Sequence, residues 1–120
     1  MNFIIKNLSS IIFTLFIALF LVSPASAATF TLSGNISESS GNDIPGATVE
    51  AIESGTNIVV GDTISDASGN YSLIVNEGIY DVQVTPPSGS SFSSVIALNQ
   101  VISTQTILNF ILVPVGSVTI

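Results

Sequence analysis

Asp66, Ser68 and Asn70 place oxygen-bearing side chains at alternate positions of the sequence, and Glu77 follows seven residues after Asn70. Counted from Asp66, Glu77 stands at the twelfth position, where an EF-hand calcium loop has its closing carboxylate. That loop also requires glycine at its sixth position for a sharp turn, and Tyr71 stands there instead. The residues after Asn70 alternate like a β-strand, which would carry Glu77 away from the other oxygens.

A β-turn suits this stretch better than a calcium loop. Aspartate at the start of a turn accepts hydrogen bonds from backbone N–H groups within it, and Gly-Asn tolerates positive φ. We therefore predict a hairpin turn at residues 65–70, with Asp66 as the acceptor and Gly69 at positive φ. The alternative is a metal site, for which the candidate ligands are Asp66, Ser68 and Asn70. A site assembled from separate loops also remains open, with candidates that include Asp43, Asp62 and Asp66.

Other catalytic chemistry lacks the residues that it needs. A serine nucleophile needs a neighbouring base, and the sequence contains no His and a single basic residue, Lys6. Zinc sites use His or Cys ligands, and the sequence contains neither. Glu50 and Glu53 could suggest a glycosidase pair, but a strand would direct them to opposite faces. We therefore expect both to be solvated, and we predict no catalytic residue and no cofactor.

Residues 1–27 are predicted to be a secretory signal peptide. Lys6 provides a positively charged start, residues 11–22 form an apolar run interrupted only by Thr14, and Ala25-Ser26-Ala27 has the pattern of a cleavage site. The alternative is a transmembrane anchor, but the apolar run is well short of the roughly 20 residues that span a bilayer. We expect cleavage after Ala27, a secreted or cell-envelope location, and no membrane insertion after cleavage.

The chain that remains after cleavage would be strongly acidic. All eight Asp and Glu residues follow the predicted cleavage site, whereas the single basic residue precedes it. A surface without basic side chains repels phosphate, so we predict no nucleic-acid partner and no attraction to anionic membranes. The sequence contains no cysteine, so packing must stabilise the domain without disulfides.

The sequence after residue 27 alternates with the period of β-strands, and no stretch shows the period of a helix. Clusters of Gly, Pro, Asn, Asp and Ser separate the alternating segments. About seven short strands of this kind predict an antiparallel β-sandwich. The predicted inward-facing positions are Phe30, Leu32, Ile36, Ala47, Val49, Ala51, Ile58, Val60, Ile64, Tyr71, Leu73, Val75, Tyr80, Val82, Val84, Leu108, Phe110 and Leu112.

Three motifs and a closing strand occur in the order found in a known family. They are GNDIPGATVEAI at 41–52, TISDASGNYSL at 63–73, NEGIYDVQVTPPSG at 76–89 and NFILVPVG at 109–116. Together they resemble the carboxypeptidase regulatory-like domain, a transthyretin-like sandwich. The resemblance implies a seven-stranded Greek-key sandwich over residues 28–116. It implies no peptidase activity, because this domain accompanies a separate catalytic domain in carboxypeptidases.

Composition also excludes two activities of similar folds. Transthyretin-like hydrolases of ureides use His and Arg, and surface sandwiches with isopeptide crosslinks use Lys. The chain after Ala27 contains none of these residues. Neither the hydrolysis nor the crosslink is therefore expected.

Three function classes remain, of which an enzyme is the least expected because the sequence offers no pair of nucleophile and base. The partners of the other two are an unknown protein or a polysaccharide. We predict a non-catalytic, secreted or cell-surface module that acts as a structural spacer or as a protein-interaction or adhesion unit. The alternative is a carbohydrate-binding module, because the sandwich resembles starch-binding folds. Sugar sites usually need exposed aromatic side chains. Tyr71 and Tyr80 have the phase of core residues, and Phe92 is the one aromatic on a predicted loop. A bare strand edge would instead favour a protein partner.

The chain end at 117–120 continues the alternation that begins at Gly116, as if a strand were starting. One interpretation is a last strand that simply ends. The other is that the chain is part of a longer, multi-domain protein whose next module begins here. An apolar strand end without a partner promotes aggregation, which is the reason to consider the second interpretation.

Overall fold

The structure is a computed structural model that describes residues 27–116. The predicted signal peptide, except for Ala27, and the chain end at 117–120 lie outside the described residues. None of the residues from 27 to 116 belongs to a helix long and apolar enough to cross a membrane. The described chain forms eight strands: β1 (Thr29–Glu38), β2 (Thr48–Glu53), β3 (Val59–Ile64), β4 (Asn70–Asn76), β5 (Gly78–Thr85), β6 (Val95–Ile102), β7 (Thr106–Ile107) and β8 (Phe110–Leu112).

Two four-stranded sheets form the sandwich. In the first sheet, β1 pairs with β4 in antiparallel fashion and with the short strands β7 and β8 in parallel fashion. The second sheet has the order β3-β2-β5-β6, and its neighbouring strands are antiparallel. The all-β sandwich predicted from the alternation is confirmed. The described residues form eight strands rather than seven, and the first sheet is mixed rather than purely antiparallel.

The final predicted strand is divided into β7 and β8 because the chain leaves the ladder between them. The Leu108 N–H still donates to β1 at 2.8 Å, but the Leu108 carbonyl accepts a hydrogen bond from the Tyr71 hydroxyl. The Asn109 Oδ1 atom then accepts the Asn35 backbone N–H at 2.9 Å, as a strand carbonyl would. A side chain on Gly34 would collide with the Leu108 carbonyl. Leu108 is therefore half-buried instead of lying fully between the sheets as predicted.

The core lies between the sheets and uses the inward-facing side chains of both. The predicted burial of Tyr80 and Val82 is confirmed. Each large aliphatic side chain stabilises the fold by about 1.5–3 kcal/mol when it is fully buried, which is how packing can hold a domain without disulfides. The largest fully buried side chains are Leu32, Ile36, Ile102, Leu112, Val49, Val82 and Val84.

The predicted inward face of β3 is wrong. Val60 and Ile64 of β3 are exposed, and so is Ile58, which directly precedes the strand. The register with β2 explains this, because Gly61 and Thr63 stand opposite two buried residues of β2 and therefore occupy the inward positions. The alternation of apolar residues was misleading because a glycine and a threonine face the core while aliphatic residues face solvent.

Candidate functional site

Residues 65–70 form a turn, as predicted, but the predicted hairpin is wrong. β3 belongs to the second sheet and β4 to the first, so this turn carries the chain from one sheet to the other. The Asp66 Oδ1 atom accepts the backbone N–H groups of Ser68 and Asn70, each at 2.9 Å. Gly69 has a φ of 74°. The predicted roles of Asp66 and Gly69 are therefore confirmed.

The Asn70 side chain and the Ser68 backbone belong to a hydrogen-bond network centred on Asn35. The Asn35 side-chain amide donates to Asn70 Oδ1 at 3.0 Å and to the Ser68 carbonyl at 2.9 Å. It also donates to Asp43 Oδ1 at 3.3 Å. Glu77 follows the far end of β4, about 20 Å along the strand. Within residues 27–116, no three acidic, His or Cys side chains converge as a metal site. The side chains of Asp66 and Asn70 thus have structural roles in the turn.

Gly69 attaches the turn to the body of the sandwich. Its carbonyl accepts the Ile36 N–H at 2.8 Å, and the Ile36 carbonyl accepts the Ile44 N–H at 2.8 Å. A Cβ atom on Gly69 would lie 2.5 Å from the Ile36 carbonyl oxygen and 3.2 Å from the Ile44 nitrogen. Glycine is therefore required both for the positive φ and for the close approach of two backbones.

Glu50 and Glu53 lie on opposite faces of β2, as a strand requires. Glu50 stands opposite Asp62 of β3 on the outer face of the second sheet. Glu53 is exposed, as expected, and it stands opposite Tyr80, where it borders a cavity at the end of the sandwich. The two carboxylates therefore do not face a common substrate position.

The aromatic side chains of the described residues do not form an exposed platform. The Tyr71 hydroxyl donates to the Leu108 carbonyl, and burial raises the pKa of Tyr71. The Tyr80 hydroxyl donates to the Asn76 carbonyl at 2.6 Å. Both tyrosine side chains are therefore buried and donate their hydroxyl hydrogen bonds within the fold. The aromatic residues between 27 and 116 are the buried Tyr71, Tyr80 and Phe110 and the half-buried Phe30 and Phe92.

The edge strand β6 is the exposed feature that the sequence interpretation missed. β6 pairs with β5 on one side, and no strand of residues 27–116 pairs with its other side. Its eight residues include no charged side chain and no proline, which are common protections of an edge strand. Four aliphatic side chains of β5 and β6 are exposed on the outer face, with Leu98 at 58% and Val101 at 65% of full exposure. These four residues, named the outer patch, are Ile79, Ile96, Leu98 and Val101.

A β-bulge brings the outer patch to one face. Two residues of β6 stand opposite Asp81, and the second of them, Asn99, has a φ of 55°. Asn99 donates its N–H to Asp81 Oδ1 at 2.9 Å and accepts a hydrogen bond from the Ser54 hydroxyl at 2.7 Å. The extra residue reverses the phase of the strand, so that Val101 faces solvent and Ile102 enters the core. These two hydrogen bonds of Asn99 stabilise the bulge, and the bulge keeps the outer patch exposed.

Carboxylates share the outer face of the second sheet with the outer patch. Glu50 lies directly opposite Asp62, and Asp81 stands beside the bulge of β6. Like charges opposite each other destabilise a sheet, and the sequence after Lys6 has no basic side chain to offset them. The face is thus apolar at its β6 edge, whereas toward β3 the carboxylates lie among exposed aliphatic side chains such as Ile64.

Comparison with known proteins identifies similar sequences and folds. A family model described as the carboxypeptidase regulatory-like domain matches residues 31–113. A chain in the crystal structure of a type II cohesin–X–dockerin complex from Acetivibrio cellulolyticus matches with a TM-score of 0.55 and 20% identity. That match covers 71% of this chain and 58% of the other, so this chain spans less than two thirds of its length.

A second solved structure of similar fold comes from the cellulolytic bacterium Streptomyces sp. SirexAA-E. It is the dioxygenase domain of a dioxygenase–carbohydrate-binding protein fusion, with a TM-score of 0.53 and 12% identity, and the match covers 76% of this chain and 83% of the other. At these identities both structural matches show the fold alone. None of the curated protein sequences gives a significant match to this chain.

Proposed function

Because this chain belongs to the carboxypeptidase regulatory-like domain family, we propose that it is an exported, non-catalytic module that binds a partner protein along the edge of β6. The single observation that carries the proposal is the uncharged β6 edge, open to pairing and flanked by the exposed outer patch. In strand addition, backbone hydrogen bonds provide affinity, and the side chains beside the edge provide specificity. In a longer chain the same module would also serve as a spacer.

The surface around β6 favours a partner that is both apolar and basic. Aliphatic side chains of the partner would cover Leu98 and Val101, since both are more than half exposed. Lys or Arg side chains would face Asp81 and Glu50, because the sequence after Lys6 contains no basic residue that could pair with them. Complementary charge of this kind accelerates association and selects between partners more than it adds affinity.

A carbohydrate-binding role is the second candidate, and the arrangement of aromatic side chains argues against it. Sugar rings usually stack on exposed aromatic side chains in a concave site. Tyr71 and Tyr80 are buried, and Phe92 is half-buried against the core. The matched domain of the carbohydrate-binding fusion protein is its dioxygenase domain, so that similarity, at 12% identity, concerns the fold alone.

Export is the part of the proposal that rests on the first 27 residues. We infer that cleavage after Ala27 releases a chain that begins at Ala28. Mass spectrometry of the first peptide of the exported protein should identify Ala28 as its first residue. Recovery of residues 1–27 still attached in a membrane fraction would contradict export with cleavage.

Affinity capture with matched variants tests the binding surface. The exported protein is immobilised and incubated with envelope and secreted fractions of the cells that produce it. Wild type should retain a protein that the Leu98→Lys/Val101→Lys variant loses, because two charges block the β6 edge. The Ile74→Lys/Ile107→Lys variant makes the same change on the first sheet, where both residues are equally exposed, and should retain that protein.

The same experiment separates the two candidate partners. Digestion of the fractions with protease should abolish capture, and digestion with polysaccharide-degrading enzymes should not change it. The opposite pattern would favour the carbohydrate-binding role. Loss of capture in both double-lysine variants, or in neither, would contradict an interface along β6.

A further inference from the structure

A cavity of about 330 Å³ opens at the end of the sandwich where β2 ends and β5 begins. Two carboxylates line it, Glu53 from the end of β2 and Glu77 from the turn between β4 and β5. Tyr80 and Ala27 also line it. The cavity thus brings the beginning of the described chain next to two acidic side chains.

The backbone of residues 28 and 29 is fixed at this cavity. The Ala28 carbonyl accepts the Glu77 backbone N–H at 2.8 Å. Thr29 then stands opposite Asn76 as the first pair of the β1–β4 ladder. The peptide bond between Ala27 and Ala28, where we infer cleavage, therefore lies at the wall of the cavity.

Cleavage at that bond changes the charge of the site. The sequence after Lys6 has eight carboxylates and no Lys, Arg or His, so a new α-ammonium group on Ala28 would be its one cation. The titratable groups that line the cavity are Glu53, Glu77 and Tyr80. Burial, and then the charge of Glu53, raise the pKa of the Tyr80 hydroxyl, which therefore stays neutral near pH 7. The two carboxylates thus determine the charge of the cavity.

We propose that this cavity is the binding site of the α-ammonium group that processing creates on Ala28, with Glu53 and Glu77 as its counter-ions. The inference rests on the proposed export and cleavage, and it adds a role for the new chain terminus. Before cleavage, the Ala28 nitrogen is a neutral amide. After cleavage, the cation joins the first residue of the sandwich to β2 and to the β4–β5 turn. Processing therefore completes the fold at this end.

The expected signature is a raised pKa of the α-amino group. This group ordinarily titrates near 7.7–8.0, and a surface pair of opposite charges should raise its pKa by about 0.2–0.7. Because the pKa is higher in the folded state than in the unfolded state, the stabilisation is complete below about pH 7.5 and is lost as the pH rises through the folded value, at about 8–9.

NMR titration of the Ala28 α-amino group in the exported protein tests the site. The measurement runs from about pH 6 to 10 at low salt, with the same protein denatured in urea as the reference. In folded wild type the pKa of the α-amino group should lie above the value in the denatured protein. In the Glu53→Gln/Glu77→Gln variant it should fall back to that reference value. The control variant Glu38→Gln/Glu50→Gln removes the same amount of charge elsewhere on the domain. In this variant most of the increase in the pKa of the α-amino group should remain. The amide spectrum verifies that each variant is folded, and Glu77→Gln alone replaces the double variant if that variant unfolds.

Results that contradict the binding site can be distinguished from results that contradict the cleavage. An α-amino group that titrates at the reference value in folded wild type would overturn the site. An equal decrease in this pKa in the Glu53→Gln/Glu77→Gln variant and in the Glu38→Gln/Glu50→Gln control would also overturn the site. The pKa would then depend on the overall charge of the domain. Mass spectrometry of the first peptide determines the first residue independently, so a chain that begins elsewhere would overturn the proposed cleavage itself.

Discussion

The turn at residues 65–70 and the outer patch on β5 and β6 use their side chains in opposite ways. The turn contains the polar residues that suggest chemistry, yet its Asp66 and Asn70 oxygens accept hydrogen bonds from the same fold. The outer patch contains only aliphatic side chains, yet they are exposed beside an open strand edge. Polar residues at ligand-like spacing can thus serve folding alone, whereas a contiguous exposed apolar patch indicates an interaction.

The largest effect is expected at Gly69, where the turn meets β1. Gly69→Ala should reduce the free energy of unfolding by about 2–4 kcal/mol, because the positive φ is strained and the new Cβ atom would overlap the Ile36 carbonyl oxygen. Gly55→Ala is the control, with a φ of 79° and no atom within 4 Å of the new Cβ. It should cost about 1 kcal/mol. If urea unfolding showed the same loss of unfolding free energy for Gly69→Ala and Gly55→Ala, the close packing of the turn would be contradicted.

A smaller effect is expected when the turn loses its acceptor. Asp66→Ala removes two hydrogen bonds to backbone N–H groups and should cost about 1–2 kcal/mol in thermal or urea unfolding. Asp62→Ala removes the same charge from β3, where Asp62 stands opposite Glu50. That variant should be neutral or slightly more stable, because a like-charge pair disappears. A greater loss at Asp62 than at Asp66 would contradict this assignment.

Calcium should have no measurable effect on stability. A ligand with a Kd of about 10 μM, present at about 1 mM, would add about 2.7 kcal/mol to the free energy of unfolding. In a domain of this size that corresponds to a rise in Tm of roughly 10–20 °C. Thermal unfolding in EDTA and in calcium should instead give the same Tm. A rise that Asp66→Ala abolishes would make the turn a metal site.

Features set by local chemistry could be predicted from the sequence. The alternation of Leu32, Val49 and Val82 with polar neighbours indicated a sandwich, and all three are buried. The turn chemistry of Asp66 and Gly69 was predictable because the bonds and the φ involved lie within a few residues. The fold class of the described residues therefore follows from short-range patterns.

Features set by distant partners could not be predicted. The division of the last strand depends on the Tyr71 hydroxyl, which is remote in sequence from the Leu108 carbonyl that it contacts. The exposed face of β3 depends on its register with β2. The bulge at Asn99 reverses the phase of β6, and the sequence gives no strict signal for one extra residue. The open edge depends on the order of the strands in the sheet.

Photo-crosslinking in the cells that produce the protein tests the central claim most directly. A photoreactive amino acid replaces Leu98 in the outer patch or, as the matched control, Ile74 on the first sheet, since both side chains are exposed. The probe at Leu98 should yield a discrete, protease-sensitive adduct with one partner protein, and the probe at Ile74 should not. Equal adducts from both positions, or an adduct from Ile74 alone, would contradict an interface along β6.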